Sequence, residues 1–361
     1  MQWATTLKMG YYAIKVHPKA QKLCTLITPW GKYKYLRLPM GLSGAPDIFQ
    51  EKMSSLVDHL EYARVYLDDL LVLTNGSFDD HLSKLGKVLV LLSQAGLKCN
   101  ADKCSFGAKE VEYLGYLLTR NGIRPVPAKI KSILALSPPK NVRQVRRLLG
   151  MIQYYRDLWE KRSHILAPLS NLVGECGTTK AKKAKNKKFT WLPIHQEAFE
   201  RIKQVIGKAV TLAYPDFNET FDIYTDSSDK QLGGVITQKG RPLAFYSRKL
   251  RGAQLNYTVT KKELLGVVET LKEFRGILHG HKIRVYTDHK NLEYENSTAT
   301  SQRAMRWRVL LEEFGPEIVY IKGVHNTVAD AISRLDIASE APPYTDTKQQ
   351  MCFAMRLFTS T

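Results

Sequence analysis

A chain of 361 residues is long enough for two or three domains, and its 44% apolar content excludes global disorder. Lysine and arginine outnumber aspartate and glutamate by 54 to 34, a formal charge of +20. That excess makes nucleic acid the first partner class to consider, against the plainer reading of a merely soluble basic protein.

In chain order, Val65-Tyr66-Leu67 and Leu70-Leu71-Val72-Leu73 are short apolar runs on either side of Asp68-Asp69, a pattern that predicts a β-hairpin with acids at its tip. Phe78 to Ala95 reads as a helix with Leu82, Leu85, Val88, Leu89 and Leu92 on one stripe. Pro138-Pro139 punctuates the chain, and from Asn141 a second helix turns Val142, Val145, Leu148, Leu149 and Ile152 inward. Arg143, Arg146 and Arg147 fall on its other faces, which suits either a phosphate backbone or a solvated basic surface. Residues 180–188 hold six lysines spaced by alanine and asparagine and read as a linker.

Beyond the linker, Phe221 to Thr225 alternates like a strand, a turn follows at Ser227-Ser228-Asp229, and Gly233 to Ile236 gives a second strand. Leu264, Val267, Val268, Leu271 and Phe274 mark an amphipathic helix, Ile283 to Thr287 another strand, and Thr327 onward a short helix. Strands followed by alternating helices and strands predict a mixed α/β domain. The tail after Asp336 shows little pattern.

Two groups of acids stand out. Adjacent Asp68 and Asp69 between apolar strands repel each other unless a cation neutralises them, and phosphoryl transfer by paired metals needs such carboxylates; an ordinary solvated turn is the alternative. In the last third, Asp226, Glu263, Asp288 and Asp330 each have a plain local reading. Asp226 suits an Asx turn, Glu263 a capping box with Thr260, Asp288 a strand end, and Asp330 a helix first turn capped by Thr327. Together they repeat one order: strand-end acid, helix-start acid, strand-end acid, helix-start acid.

These motifs resemble those of the reverse transcriptase–ribonuclease H segment of gypsy-type LTR retrotransposon polyproteins, from about Leu7 to Asp336. Tyr66-Leu67-Asp68-Asp69 is similar to the palm metal-binding motif. Leu38-Pro39-Met40-Gly41-Leu42-Ser43-Gly44-Ala45-Pro46 with Phe49-Gln50 is similar to the nucleotide-pocket and template-strand motif. Tyr113-Leu114-Gly115-Tyr116 with Gly122-Ile123 and Pro125 resembles the primer grip, and Leu148-Leu149-Gly150 with Tyr154-Tyr155-Arg156 the thumb. Tyr224-Thr225-Asp226, Lys262-Glu263-Leu264, Tyr286-Thr287-Asp288 and Val328-Ala329-Asp330 match the four ribonuclease H acids.

The resemblance implies an α+β and α/β multidomain fold: palm over 1–125, thumb or connection over 126–178, the Lys-rich linker over 179–190, and a five-stranded ribonuclease H-like domain over 191–336, with 337–361 as tail. It implies an RNA-directed DNA polymerase that is also an endonuclease, with two Mg²⁺ or Mn²⁺ ions at each site. Asp68 and Asp69 hold them in one site, and Asp226, Glu263, Asp288 and Asp330 in the other. Tyr11 is implied as the ring that excludes a ribose 2′-hydroxyl, with Met40, Gly41, Gln50 and Gly115 also contacting substrate. Lys98 or Lys103 matches the lysine near the triphosphate. His325 reads either as a loop residue or as an aid to product release. The implied partners are an RNA/DNA hybrid, primer-template nucleic acid and dNTP.

One departure matters. The family's first palm strand reads Leu-Asp-Leu shortly before Gly-Tyr, whereas here Thr6-Leu7 runs into Lys8-Met9-Gly10-Tyr11, and no acid precedes Asp47. This predicts a two-residue deletion that removes a metal-bridging aspartate and impairs polymerisation; the fingers preceding the palm are also expected to be absent. A non-catalytic nucleic-acid-binding or structural chain is the alternative.

Cys24, Cys99, Cys104, Cys176 and Cys352 show no repeated pairing, as for reduced thiols in a cytoplasmic particle or the nucleus. No second Cys/His pair follows Cys99 and Cys104 to complete a zinc site. No apolar run reaches the roughly 18 residues needed to span a bilayer, so no membrane partner is expected.

Overall fold

The computed structural model describes residues 1–159, 161–176, 189–208, 210–288 and 302–321. The Lys180–Lys188 run, the helix expected from Thr327 and the tail after Asp336 lie outside these residues. The described chain divides into two compact units, Met1–Arg120 and the part from Asn121 onward.

In the first unit, β1 (Gln2–Thr6) leads through a one-turn helix α1 (Pro18–Gln21) and an exposed hairpin of β2 (Thr25–Thr28) and β3 (Gly31–Lys34) to α2 (Ala45–Val57). β4 (Ala63–Tyr66), β5 (Asp69–Leu73), α3 (Phe78–Gln94) and β6 (Ser105–Ala108) follow, then the short hairpin of β7 (Val111–Tyr113) and β8 (Tyr116–Thr119). The main sheet runs β4-β5-β1-β6, so β1 is central. Its buried Trp3 packs in one core with Phe49, Met53 and Val57 of α2 and Leu85, Val88 and Leu92 of α3. The Ser77 side chain caps α3 by accepting from the Asp80 amide at 3.2 Å, and Asp79 and Asp80 favour the helix dipole.

The inward face of α3 differs from the expected stripe. His81, Leu85, Val88 and Leu92 are buried, whereas Leu82 and Leu89 are exposed. His81 takes the inward place expected of Leu82, its Nδ1 2.8 Å from the Thr74 hydroxyl, while Leu85, Val88 and Leu92 keep theirs.

The second unit holds β9 (Gly122–Pro125), α4 (Pro127–Leu134), α5 (Val142–Tyr154), the one-turn α6 (Arg162–Ile165), α7 (Ala167–Cys176) and α8 (Pro193–Gly207). Next come β10 (Phe221–Ser227), β11 (Gln231–Gln238), β12 (Arg241–Lys249), α9 (Val259–Glu273), the one-turn α10 (Arg275–Leu278), β13 (Ile283–Thr287), α11 (Gln302–Phe314) and β14 (Glu317–Tyr320). Asn141 caps α5, accepting from the Gln144 amide at 2.9 Å. Val145, Leu148 and Ile152 are buried while Arg143, Arg146 and Arg147 are exposed, which separates an apolar stripe from a basic surface.

Five strands form a mixed sheet in the order β12-β11-β10-β13-β14: β10, β11 and β12 are antiparallel neighbours, while β13 runs parallel to both β10 and β14. Helix α9 lies on this sheet and buries Leu264, Val267, Val268 and Leu271, the stripe read from sequence. The segment before the sheet docks on it directly. The Ser163 amide donates to Ser247 Oγ at 3.0 Å, and the Ser163 hydroxyl donates to Gln231 Oε1 at 3.0 Å. Among the described residues no helix is long and apolar enough to cross a membrane.

Candidate active sites

The β4–β5 hairpin closes with Tyr66 opposite Asp69, leaving Leu67 and Asp68 in the turn. Leu67 has φ of +50°, a left-handed conformation costly for a leucine. Gln50, on α2, braces it: its Oε1 accepts from the Leu67 amide at 2.7 Å and its Nε2 donates to the Val65 carbonyl at 3.2 Å. Gln50, expected to contact substrate, holds the acid hairpin through its side-chain amide.

The Asp68 carbonyl accepts from the Leu7 amide at 2.6 Å, fixing the turn against the end of β1. Asp68 Oδ1 is buried without a hydrogen-bond partner, and burial followed by the charge of Asp69 raises the Asp68 pKa. Asp69 Oδ1 accepts a hydrogen bond from the Thr6 hydroxyl at 2.9 Å. An orphaned carboxylate oxygen beside a second acid is a donor set that fits a hard cation.

β1 stays in unbroken antiparallel register with β5 from Gln2 opposite Leu73 to Thr6 opposite Asp69. Directly paired residues share a face, so Thr6 presents its side chain beside Asp69, where a third carboxylate was sought. Thr6, and no acid, stands beside Asp69 at this end of β1.

The other residues expected in this site are placed as follows. Tyr11 is buried and stacked on Phe49, ring centroids 4.7 Å apart at 22°. Its hydroxyl pKa is raised by burial, then by Asp68 and Tyr66. Gly10 is required by space: a Cβ there would fall 2.5 Å from the Phe49 ring and 3.2 Å from Asp68 Oδ1. Met40 is exposed, Gly41 adopts φ of +100°, and Gly115 follows Leu114 in a two-residue turn with both φ positive. Tyr113 beside that turn is buried, and burial with the charge of Asp69 raises its pKa. Lys98 is tied to β1 through its carbonyl, which accepts from the Lys8 amide at 2.7 Å, while Lys103 ends a 3₁₀ turn.

The second group of acids gathers at one end of the five-stranded sheet. β10 and β13 run parallel with Tyr224 opposite Tyr286, and the two rings stack at 4.5 Å and 7°. Asp226 lies two residues further on near the carboxyl end of β10, and Asp288 directly follows β13 at the same end of the sheet. Both are exposed.

Glu263 comes from α9, whose N-cap is Thr258, accepting from the Lys261 amide at 3.4 Å; the expected cap box with Thr260 is not the arrangement. Glu263 is 4% exposed, and its Oε2 is buried without a hydrogen-bond partner. Burial, then the charges of Asp288 and Asp226, push its pKa up to about 8, opposed by a hydrogen bond from the Ser227 amide. The helix can come this close because residue 266 is glycine: a Cβ there would lie 2.7 Å from Ser227 Oγ.

Three of the four acids are therefore electrostatically coupled, and the buried, unpartnered Glu263 oxygen fits a cation as its missing partner. Asp330 and His325 lie outside the described residues. Among the described residues no set of three or more His, Cys, Asp or Glu side chains closes on a common metal position. Sequence reading passed over Lys262, a buried lysine whose ammonium lies 2.8 Å from Asp229 in the β10–β11 turn.

Residues 3–118 match the reverse transcriptase (RNA-dependent DNA polymerase) family, and residues 216–314 match the RNase H-like domain found in reverse transcriptase. The chain carries a reverse transcriptase family domain followed by an RNase H-like domain. It is 36% identical over 341 residues to the retrovirus-related Pol polyprotein from transposon 297 of Drosophila melanogaster, covering 93% of this chain and 31% of that protein. It is 30% identical over 347 residues to the Pol polyprotein from transposon gypsy of the same species, covering 94% and 33%. This reverse transcriptase segment thus spans about a third of the length of these curated relatives.

Its fold is similar to that of a foamy viral protease-reverse transcriptase solved in complex with RNA/DNA hybrid, with a TM-score of 0.78 and 22% identity, covering 96% of this chain and 46% of that one. A foamy viral protease-reverse transcriptase solved with dsDNA gives a TM-score of 0.77 at 22% identity, covering 89% and 67%. The expected α+β and α/β multidomain fold accords with both.

Proposed function

We propose that the chain hydrolyses the RNA strand of RNA/DNA hybrids through its RNase H-like unit and is impaired in RNA-templated DNA synthesis. The observation that carries the first half is Glu263 Oε2, buried without a hydrogen-bond partner, while burial and then the charges of Asp288 and Asp226 push the Glu263 pKa up to about 8. Carboxylates so crowded are unfavourable unless cations share them. When bound, Mg²⁺ or Mn²⁺ supplies a polarised water and charge stabilisation at the leaving oxygen. Asp226 and Asp288 offer exposed carboxyl oxygens from the end of β10 and the residue after β13. Glu263 gives up its proton to join them and is oriented by the Ser227 amide, and Asp330 is proposed as the fourth member. The basic chain supports binding to a polyanion, with contacts to backbone and 2′-hydroxyls rather than to base edges.

In the reverse transcriptase unit, Asp68 and Asp69 come from one hairpin, and the neighbouring strand contributes the neutral Thr6 hydroxyl. That hydroxyl donates a hydrogen bond to Asp69 and brings no negative charge. Two acids on one side position a pair of cations less firmly than three on two sides, and misplacement of a reacting atom by about 1 Å can cost about a hundredfold in rate. Thr6 supports a second role for this unit, holding primer-template without efficient extension. The test is cleavage of a labelled hybrid with Mg²⁺. Wild-type chain cuts, Asp226→Asn binds but does not cut, and full activity in Asp226→Asn would overturn the reading.

A further inference from the structure

Lys262 directly precedes Glu263 on α9, and its side chain is 7% exposed, an unusual setting for an ammonium. Its Nζ donates to Asp229 Oδ1 at 2.8 Å, and Asp229 is itself 88% exposed at its side chain. Asp229 lies in the turn joining β10 to β11, three residues after Asp226. The same helical turn is held to the end of β10 by a second bond, from the Ser227 hydroxyl to the Lys262 carbonyl at 3.2 Å. A sheltered cation thus sits one residue from Glu263 and is drawn outward by a solvent-facing carboxylate. The hydrogen bond from Lys262 keeps Asp229 below the usual carboxylate range.

We propose that Asp229 is a positioning residue that holds the Lys262 ammonium out of the acid cluster and so keeps Asp226, Glu263 and Asp288 available to divalent cations. Lysine and metal compete for the same carboxylates. With Asp229 removed, a sheltered ammonium one residue from Glu263 loses its carboxylate partner. An ammonium close to those carboxylates neutralises them in the metal's stead, and a unit charge at such range in a partly buried site changes affinity by about tenfold or more. An ion pair formed only for rigidity would not affect metal affinity in this way. The inference rests on the proposed metal-dependent cleavage, and the experiment separates the two.

Mn²⁺ is titrated into the metal-free full chain and free Mn²⁺ is followed by electron paramagnetic resonance. Wild type, Asp229→Ala, Asp229→Asn, Lys262→Met and Asp229→Ala/Lys262→Met are compared, with thermal melts to show that each is folded. The latch predicts that both Asp229 variants bind Mn²⁺ about tenfold more weakly, since either substitution removes the charge. Lys262→Met and the double variant bind at least as tightly as wild type, because the competing ammonium is gone. Wild-type affinity in Asp229→Asn, or a double variant as weak as Asp229→Ala, overturns the latch while leaving hybrid cleavage by wild type intact. A wild-type chain that neither binds Mn²⁺ nor cuts hybrid overturns both readings.

Discussion

At the scale of single residues, Glu263 links protonation to folding. Its folded pKa of about 8 lies above the ordinary value of 4.5, so between those values the folded state holds a proton that the unfolded state has released. Stability of the metal-free chain therefore falls as pH rises from about 4.5 to about 8, a window set by this shift alone. Glu263→Gln removes that slope. Metal-free thermal melts are expected to show the variant more stable than wild type at about pH 9 and equal to it at about pH 4; equal curves at both ends would mean that Glu263 is not crowded. Thr6 gives the second residue-scale prediction. Thr6→Asp places a carboxylate opposite Asp69 and is expected to tighten Mn²⁺ binding to the reverse transcriptase unit, measured in an Asp226→Asn background; unchanged binding would show that position 6 does not face the ions. That Thr6 stands beside Asp69 is a relation between residues 63 positions apart, which the strand register shows and the local sequence does not.

At the scale of elements, local signals are the readable ones. Asn141 announces α5, the stripe from Leu264 to Phe274 announces α9, and the apolar runs around Asp68-Asp69 announce the hairpin, because each depends on neighbours within a few residues. What sequence does not disclose depends on distant partners. Gln50 braces a turn 17 residues away, Thr74 draws His81 inward, and Asp229 meets Lys262 across 33 residues. The hairpin yields a prediction. Gln50→Ala strips the Leu67 amide of its acceptor while Leu67 keeps its left-handed backbone. A loss of about 1–3 kcal/mol is expected on denaturant unfolding, with faster hydrogen exchange at the Leu67 amide. No change in exchange there would show that the turn stands without Gln50.

At the scale of the whole molecule, a net charge of +20 accompanies the exposed arginines of α5 and the six lysines of 180–188. Hybrid affinity is expected to fall steeply with salt, and replacing the six lysines is expected to lower the log–log slope by up to about 0.7–0.9 for each phosphate that is no longer neutralised. A flat salt response in the intact chain would exclude phosphate neutralisation as the main source of binding. The two units carry acid groups of different make-up: Glu263 is coupled electrostatically to Asp226 and Asp288, whereas Asp68 and Asp69 face a threonine. One paired measurement therefore decides most: Mg²⁺-dependent hybrid cleavage and primer extension on an RNA template by the same preparation. The expected result is cleavage that disappears in Asp226→Asn, together with little or no extension. Robust extension that disappears in Asp68→Asn, or folded protein that extends primers without cutting hybrids, would contradict it.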